Sequence, residues 1–483
     1  MRTLQSGPPI CPTAPPAPND QTAENGAAGT HGSGTMKSTI RLAASAASLN
    51  RAAKTLREPR RIVLPPAMPM IPRGKLASST FEAGAVLGVR LLAQAGSLIV
   101  LARTLGPAAF GAFAALSALA VLLGSLSTFG STLALLRAVS SSDPDTQRAT
   151  QLAWSSILSL GMALLGAYWI LCGIIHIGAG VPGLAVLAIG VTEVLLIPTL
   201  QIPSAFRQGS GAIAQSQWIV TSPLLLRFGV AAVVSYTNVV QPLLAYAIGY
   251  LAVTSLLVMA VVAATPHVKP RPSTWGGLLA RAPLCELSGF AALNLTALGP
   301  NEVDKVLATH VLQPGESGIY AASARVAHAM VLPVIALLMA ALPRLFRDGK
   351  TLQGTKLQRA IFLAALGYGL FGSIALWIAA PVLPLVFGAA YLPLVPMARW
   401  LSPIVLGSSL RIAAGYILMT VNQPWRRAGV EILGLLLLAA LAWPMTSLLG
   451  RIGMPLSVTA AEYVMAAAAW LSVYFSKRSR ASN

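Results

Sequence analysis

From about residue 81 onward the chain is a succession of long apolar runs separated by short polar connectors. A helix crossing a bilayer needs about 20 mostly apolar residues. Runs of that length lie at roughly 83–103, 110–136, 151–176, 181–201, 212–236, 240–264, 287–311, 317–343, 360–380, 393–420, 428–449 and 454–475. The pattern therefore predicts an all-α integral membrane protein with about 12 transmembrane helices. No connector is long enough for a catalytic domain outside the bilayer. The seventh run is the least apolar, because Asn301-Glu302-Val303-Asp304-Lys305 lies inside it. Hydropathy alone would make it a loop, but its removal would move the five bases between Arg344 and Arg359 to the opposite side of the membrane. It is retained as a functional span. Gly299-Pro300 interrupts it, a feature tolerated where freed backbone faces protein or a watery cavity.

Composition supports this picture. The chain has 483 residues, 55% of them hydrophobic and only 10% charged, which excludes an ordinary soluble enzyme and disorder over most of the length. The 34 Lys and Arg against 14 Asp and Glu form no single stripe with interleaved aromatics, so nucleic acid is not an expected partner. Instead, 26 of those bases fall on one side of the twelve-span layout and two, Arg103 and Arg451, on the other. That asymmetry places both termini in the cytoplasm. Residues 1–80 are of different composition, with Pro8, Pro9, Pro12, Pro15, Pro16 and Pro18 among Ala, Gly, Ser and Thr. They predict a disordered basic tail or an over-long start, with Met36, Met68 and Met70 as alternative starts. The expected organisation is this tail, a first six-helix lobe at 81–265, a cytoplasmic linker at 266–286, a second lobe at 287–476 and a basic end at 477–483. Cys11, Cys172 and Cys285 are too few and too far apart for a disulfide framework or metal site, and no phosphate-binding GxxxxGK[ST] loop occurs. No cofactor is expected.

The halves also repeat. Leu105-Gly106-Pro107-Ala108-Ala109-Phe110-Gly111-Ala112-Phe113 returns as Leu312-Gln313-Pro314-Gly315-Glu316-Ser317-Gly318-Ile319-Tyr320, each copy on the outer turn between the first two helices of a half. Gly111 and Gly318 predict close backbone approach; Phe113 and Tyr320 are expected as anchors at the membrane interface.

Several of these segments resemble the polysaccharide or O-antigen (Wzx-like) flippases of the multidrug/oligosaccharidyl-lipid/polysaccharide (MOP) superfamily. The similarity rests on Ala102-Arg103-Thr104-Leu105-Gly106-Pro107 leading into Phe110-Gly111, on Leu136-Arg137, on Val303-Asp304-Lys305-Val306-Leu307-Ala308 followed by Gly318-Ile319-Tyr320-Ala321-Ala322-Ser323-Ala324-Arg325-Val326, and on Leu385-Val386-Phe387-Gly388-Ala389-Ala390-Tyr391. It spans about residues 80–475. It implies two MATE-like six-helix lobes around a central cavity. It further implies alternating-access transfer of an undecaprenyl-diphosphate-linked oligosaccharide between leaflets, in company with polysaccharide polymerase and export proteins. The long tail departs from the family pattern.

Charges inside spans mark candidate chemistry, since each costs roughly 2.5–3.5 kcal/mol at the bilayer centre. The bases are Arg90, Arg227, Lys305, Arg325, Arg399 and Arg411; the acids are Glu193, Glu302, Asp304, Glu431 and Glu462. Arg399 and Glu431 lie near span ends and are expected to snorkel, and Glu302 and Lys305 can neutralise each other one turn apart. The expected ligand-binding set is Arg90, Arg227, Lys305, Arg325 and Arg411, with Asp304, Glu302, His328 and Glu193 supporting and with no catalytic or metal-ligating residue. Guanidinium forks suit the phosphate oxygens that the family's substrate would carry. Two other readings remain at this point: a drug or cation exporter, which should favour acidic groups in its cavity, and a membrane polysaccharide polymerase or ligase, which should carry catalytic groups on outer loops.

Overall fold

The computed structural model describes residues 73–140, 146–178, 180–270, 299, 301–348, 352–420 and 424–481, which are helices joined by turns, with no strand among them. The tail through residue 72, the alternative start methionines, Cys11, Cys285 and most of the seventh span and preceding linker lie outside the described residues. Nine apolar helical segments are long enough to cross a membrane among the described residues. Two of these are too long for one crossing. Gly88–Ser127 has 40 residues and Arg426–Phe475 has 50, against the ~20 that a 30 Å hydrocarbon layer requires. Both divide where the sequence permits. The first breaks at Gly106, whose φ of 70° and ψ of 171° no helix accommodates, and resumes at Pro107. The second breaks at the short 3₁₀ turn Gly450–Ile452. Each therefore contains two predicted spans, and the nine segments supply all the twelve except the seventh.

Several spans are less regular than hydropathy suggests. The second does not run to 136: it ends at Ser127, turns through Phe129 and Gly130 at φ of 44° and 75°, and restarts as Ser131–Ser140. Hydroxyls drive the break, since Ser125, Ser127, Thr128 and Ser131 each donate to the carbonyl three residues back. The eighth span divides into Pro314–Ala329 and Leu332–Asp348, and the tenth into Leu394–Leu401 and Ile404–Thr420 around Ser402-Pro403. The third and fourth each contain a π-helical turn, Ser156–Leu160 and Thr192–Leu196.

Within the N-terminal half, Ile197–Gly209 packs against Ile213–Thr237 and Ser131–Ser140; in the C-terminal half, Ile404–Thr420 packs between Gly453–Ala481 and Leu352–Ala379. The halves meet where the repeated motifs lie. A Cβ on Gly111 would stand 2.7 Å from the Gly318 nitrogen, and one on Gly318 would collide with the Pro107 carbonyl. The two glycines are thus the crossing point of equivalent helices. Further bonds tie the same end. Arg103 Nη2 donates to the Leu385 carbonyl at 2.7 Å, and the Tyr391 hydroxyl donates to the Ala102 carbonyl at 3.0 Å. His310 Nε2 meets the Ile175 carbonyl at 2.6 Å. Gly388, at φ of 100°, turns the chain between Leu385 and Tyr391 so that both reach the first helix. Burial raises the Tyr391 phenol above its ordinary range, so it remains a donor at any working pH.

Phe113 and Tyr320 correct the expectation of interfacial anchors. Both are fully enclosed; Phe113 packs edge-on against Tyr246 at 5.4 Å, and the Tyr320 hydroxyl donates to Asp304 at 2.8 Å. Their ring positions follow the repeat, but the repeat faces the core rather than lipid.

Candidate functional site

The intramembrane charges separate into three groups that sequence position does not suggest. In the C-terminal half, Arg411 of Ile404–Thr420 lies between the last two helices. Its Nε donates to Glu462 at 2.7 Å and its Nη1 to both Glu431 oxygens at 2.9 and 2.7 Å. All three side chains are at most 3% exposed. Glu431 therefore does not snorkel from a span end; it is a buried partner of Arg411. Gly407, one turn before Arg411, allows this approach, because a Cβ there would press on Glu462 Cβ at 3.2 Å. Arg399, by contrast, lies over the Trp377 ring at 4.6 Å.

The second group is local to the seventh span. Lys305 Nζ is 3.5 Å from Glu302 and 3.3 Å from Asp304 and also donates to the Asn301 carbonyl. Asp304 is fully buried and accepts from Tyr320 as well. These contacts satisfy Lys305 within its own helix, while Tyr320 of the neighbouring helix holds Asp304. His328, on Pro314–Ala329, has a buried Nε2 with no hydrogen-bond partner.

The third group bridges the halves. Glu193 sits on the π turn Thr192–Leu196, wedged close to the Gly124 backbone, where any Cβ would strike the Glu193 carbonyl. Its carboxylate receives the Tyr250 hydroxyl at 3.4 Å and stands 3.8 Å from Arg227. Arg227 faces the rings of Phe113 and Tyr250 at 5.4 and 5.6 Å, and Tyr246 stacks on Tyr250 at 6.0 Å. From the other half, Arg325 lies over Phe110 at 6.0 Å, within electrostatic reach of Arg227, Tyr246, Glu193 and Glu302. Arg325 has no carboxylate in bonding range among the described residues. Arg90, half-buried on the first span, has none either. The arrangement thus brings Arg227, Arg325 and Glu193 together and leaves Arg411 and Lys305 in separate clusters, each base held by two carboxylates.

Sequence reasoning noted Phe110 only within the repeated motif, expected Phe113 as an interfacial anchor and did not single out Tyr246 and Tyr250; together the four form a continuous aromatic wall around the two guanidinium groups. A usable signal existed in the i, i+4 spacing of Tyr246 and Tyr250 on an otherwise aliphatic helix. No group of three metal-ligating side chains occurs among the described residues. Chemically, two arginines facing aromatic rings beside one carboxylate form an anion site with local net positive charge. The rings leave the N–H donors free for a ligand.

A family of polysaccharide biosynthesis proteins has a model that matches residues 80–347. No curated protein matches the sequence closely enough to register as a relative. Solved structures show the fold. An inward-facing multidrug resistance MATE family transporter of the MOP superfamily superposes with a TM-score of 0.64 at 13% identity, covering 83% of this chain and 98% of that one. The lipid II flippase MurJ in an inward closed conformation gives 0.62 at 12% identity, over 81% and 87%. A Pyrococcus furiosus MOP-superfamily transporter, described as having a binding pocket of reverse polarity, gives 0.60 at 14% identity, over 83% and 94%.

Proposed function

The chain belongs to the polysaccharide biosynthesis protein family, and from that premise we propose that it is a flippase for an undecaprenyl-diphosphate-linked oligosaccharide. It carries this cargo from the inner to the outer leaflet of the bacterial inner membrane, with both termini cytoplasmic, for O-antigen, capsule or exopolysaccharide assembly. Polymerase and export proteins take the cargo onward. The observation that carries the reading is Arg325: a base held in the membrane with no carboxylate in bonding range among the described residues, and within electrostatic reach of Arg227 from the other half. Such a base is costly in lipid and is explained by an anionic ligand. The diphosphate would meet the two guanidinium groups, the sugar would lie along the aromatic wall, and the isoprenoid chain would remain in lipid. Arg90 lines the approach along the first span, and Lys305 with Asp304 and Glu302 braces the seventh. Closure through Gly111, Gly318, Arg103 and Tyr391 at the outer end fits one state of an alternating-access cycle, in which the halves rock to expose the site to either side.

A cation exporter would need excess acid at this site, yet here two bases face Glu193, and Glu302, the other acid within reach, is paired with Lys305. A polymerase or ligase would need a catalytic constellation on an outer loop. Deletion of the gene tests the proposal: lipid-linked oligosaccharide should accumulate in the inner leaflet while surface polysaccharide disappears. Surface polysaccharide at wild-type level in the deletion would end it.

A further inference from the structure

The ion pair between Glu193 and Arg227 is built unlike its counterpart in the other half. Arg411 grips two carboxylates at 2.7–2.9 Å, whereas Arg227 approaches Glu193 only to 3.8 Å, beyond hydrogen-bond length. Among the described residues, Arg227 Nε and the Tyr246 hydroxyl are buried without a well-formed hydrogen bond, though the two side chains lie close enough to interact. Phe113 and Tyr250 hold the guanidinium by their ring faces, contacts that consume none of its donors. Glu193 meanwhile has the Tyr250 hydroxyl as its nearer neighbour and rides on a π turn, an irregularity that recurs at functional positions of helices. A loosely held acid thus stands beside a base that makes no well-formed hydrogen bond among the described residues.

We propose that Glu193 is the built-in counter-anion of the cargo site: it holds Arg227 while the site is empty, and an isoprenyl diphosphate displaces it as Glu193 takes up one proton. The inference rests on the diphosphate reading above. Its physical basis is that a carboxylate and a diphosphate cannot both remain ionised on one guanidinium away from water. The carboxylate is neutralised by a single proton, which adds to one of its oxygens from the aqueous phase; no bond within the cargo is made or broken. When the cargo leaves, Glu193 ionises and recovers Arg227. Loading is then linked to proton uptake, so affinity rises as pH falls, by up to about tenfold per pH unit for one proton.

Other groups face Glu193 and bound the assignment. Arg227 comes from Ile213–Thr237, and Tyr246 and Tyr250 from Pro242–Ala263. Tyr168, with Cys172 beside it, comes from Gly161–Ile174. Arg325 and Glu302 approach from the C-terminal half. Glu302 is the rival carboxylate, but it is already paired with Lys305 at 3.5 Å.

Full-length protein in lipid nanodiscs, titrated calorimetrically with farnesyl diphosphate from about pH 5.5 to 8.5 in buffers of different ionisation enthalpy, reports both affinity and protons taken up. Wild type should take up close to one proton more than Glu193→Gln. That variant should bind at every pH as tightly as wild type does in acid, with only the ligand's own titration left. Glu302→Gln, whatever it does to affinity, should keep the wild-type proton count. Tyr250→Phe, which removes the donor to the carboxylate, should keep the proton count and move the affinity curve to higher pH. The proposal is overturned if Glu193→Gln takes up as many protons as wild type, if it binds more weakly throughout, or if Glu302→Gln abolishes the uptake. Failure of the diphosphate reading has a different signature: wild type would not bind farnesyl diphosphate, or Arg227→Ala and Arg325→Ala would bind it as well as wild type.

Discussion

Arg411→Ala and Arg325→Ala remove the same side chain from the same half of the protein, yet their consequences should diverge. Arg411 makes three hydrogen bonds of 2.7–2.9 Å to two carboxylates that are themselves 3% exposed or less. Truncation leaves Glu431 and Glu462 buried without the guanidinium bonded to both, and breaking a buried ion pair on one side costs about 3–5 kcal/mol. Among the described residues Arg325 makes no ion pair, and truncation removes chiefly its position over the Phe110 ring at 6.0 Å, worth about 0.5–1 kcal/mol. Thermal unfolding of the detergent-purified variants, followed by fluorescence-detected gel filtration, should therefore drop by several degrees for Arg411→Ala and barely move for Arg325→Ala. Surface polysaccharide in a deletion strain should fall for both: through loss of folded protein in the first and at normal membrane abundance in the second. A triple change, Arg411→Leu with Glu431→Gln and Glu462→Gln, should recover most of the lost stability, since an apolar or neutral substitute for a whole buried network is close to energetically even. Equal unfolding temperatures for the two alanine variants would refute the division into a structural and a ligand-facing arginine.

Other outcomes follow from the closure between halves and from the charge layout. Gly318→Leu cannot coexist with the Pro107 carbonyl at its present position, so a cysteine at Ser317, in a background lacking the native three, should react several-fold faster with a membrane-impermeant thiol reagent; unchanged reactivity would mean that the crossing does not close this end. In the same background, cysteines at Gln313 and Gly354 should label oppositely in intact cells, the first reactive and the second protected. Equal labelling would overturn the orientation inferred from the distribution of Lys and Arg.

The positions of the spans and the repeat were legible in the chain because they depend on one-dimensional properties. A bilayer of fixed thickness demands apolar runs of fixed length, and Gly111 and Gly318 occur where two copies of one motif must cross. The breaks inside spans were less legible, because a hydroxyl that bends a helix at Ser127 carries almost no hydropathy signal. The charges were legible only as a list. Hydropathy registers that Arg411, Glu431 and Glu462 are expensive but contains nothing about which neutralises which. Partners 20 and 51 residues apart are chosen by how three helices pack. Lys305 could be matched to Glu302 in advance because one helical turn separates them. Arg227 and Arg325 sit in different halves, and only the tertiary fold brings them to one aromatic wall and leaves Arg325, among the described residues, without an acid in bonding range. Local spacing thus determined what each segment is, whereas long-range packing decided which charges are satisfied and which remain free to meet a ligand.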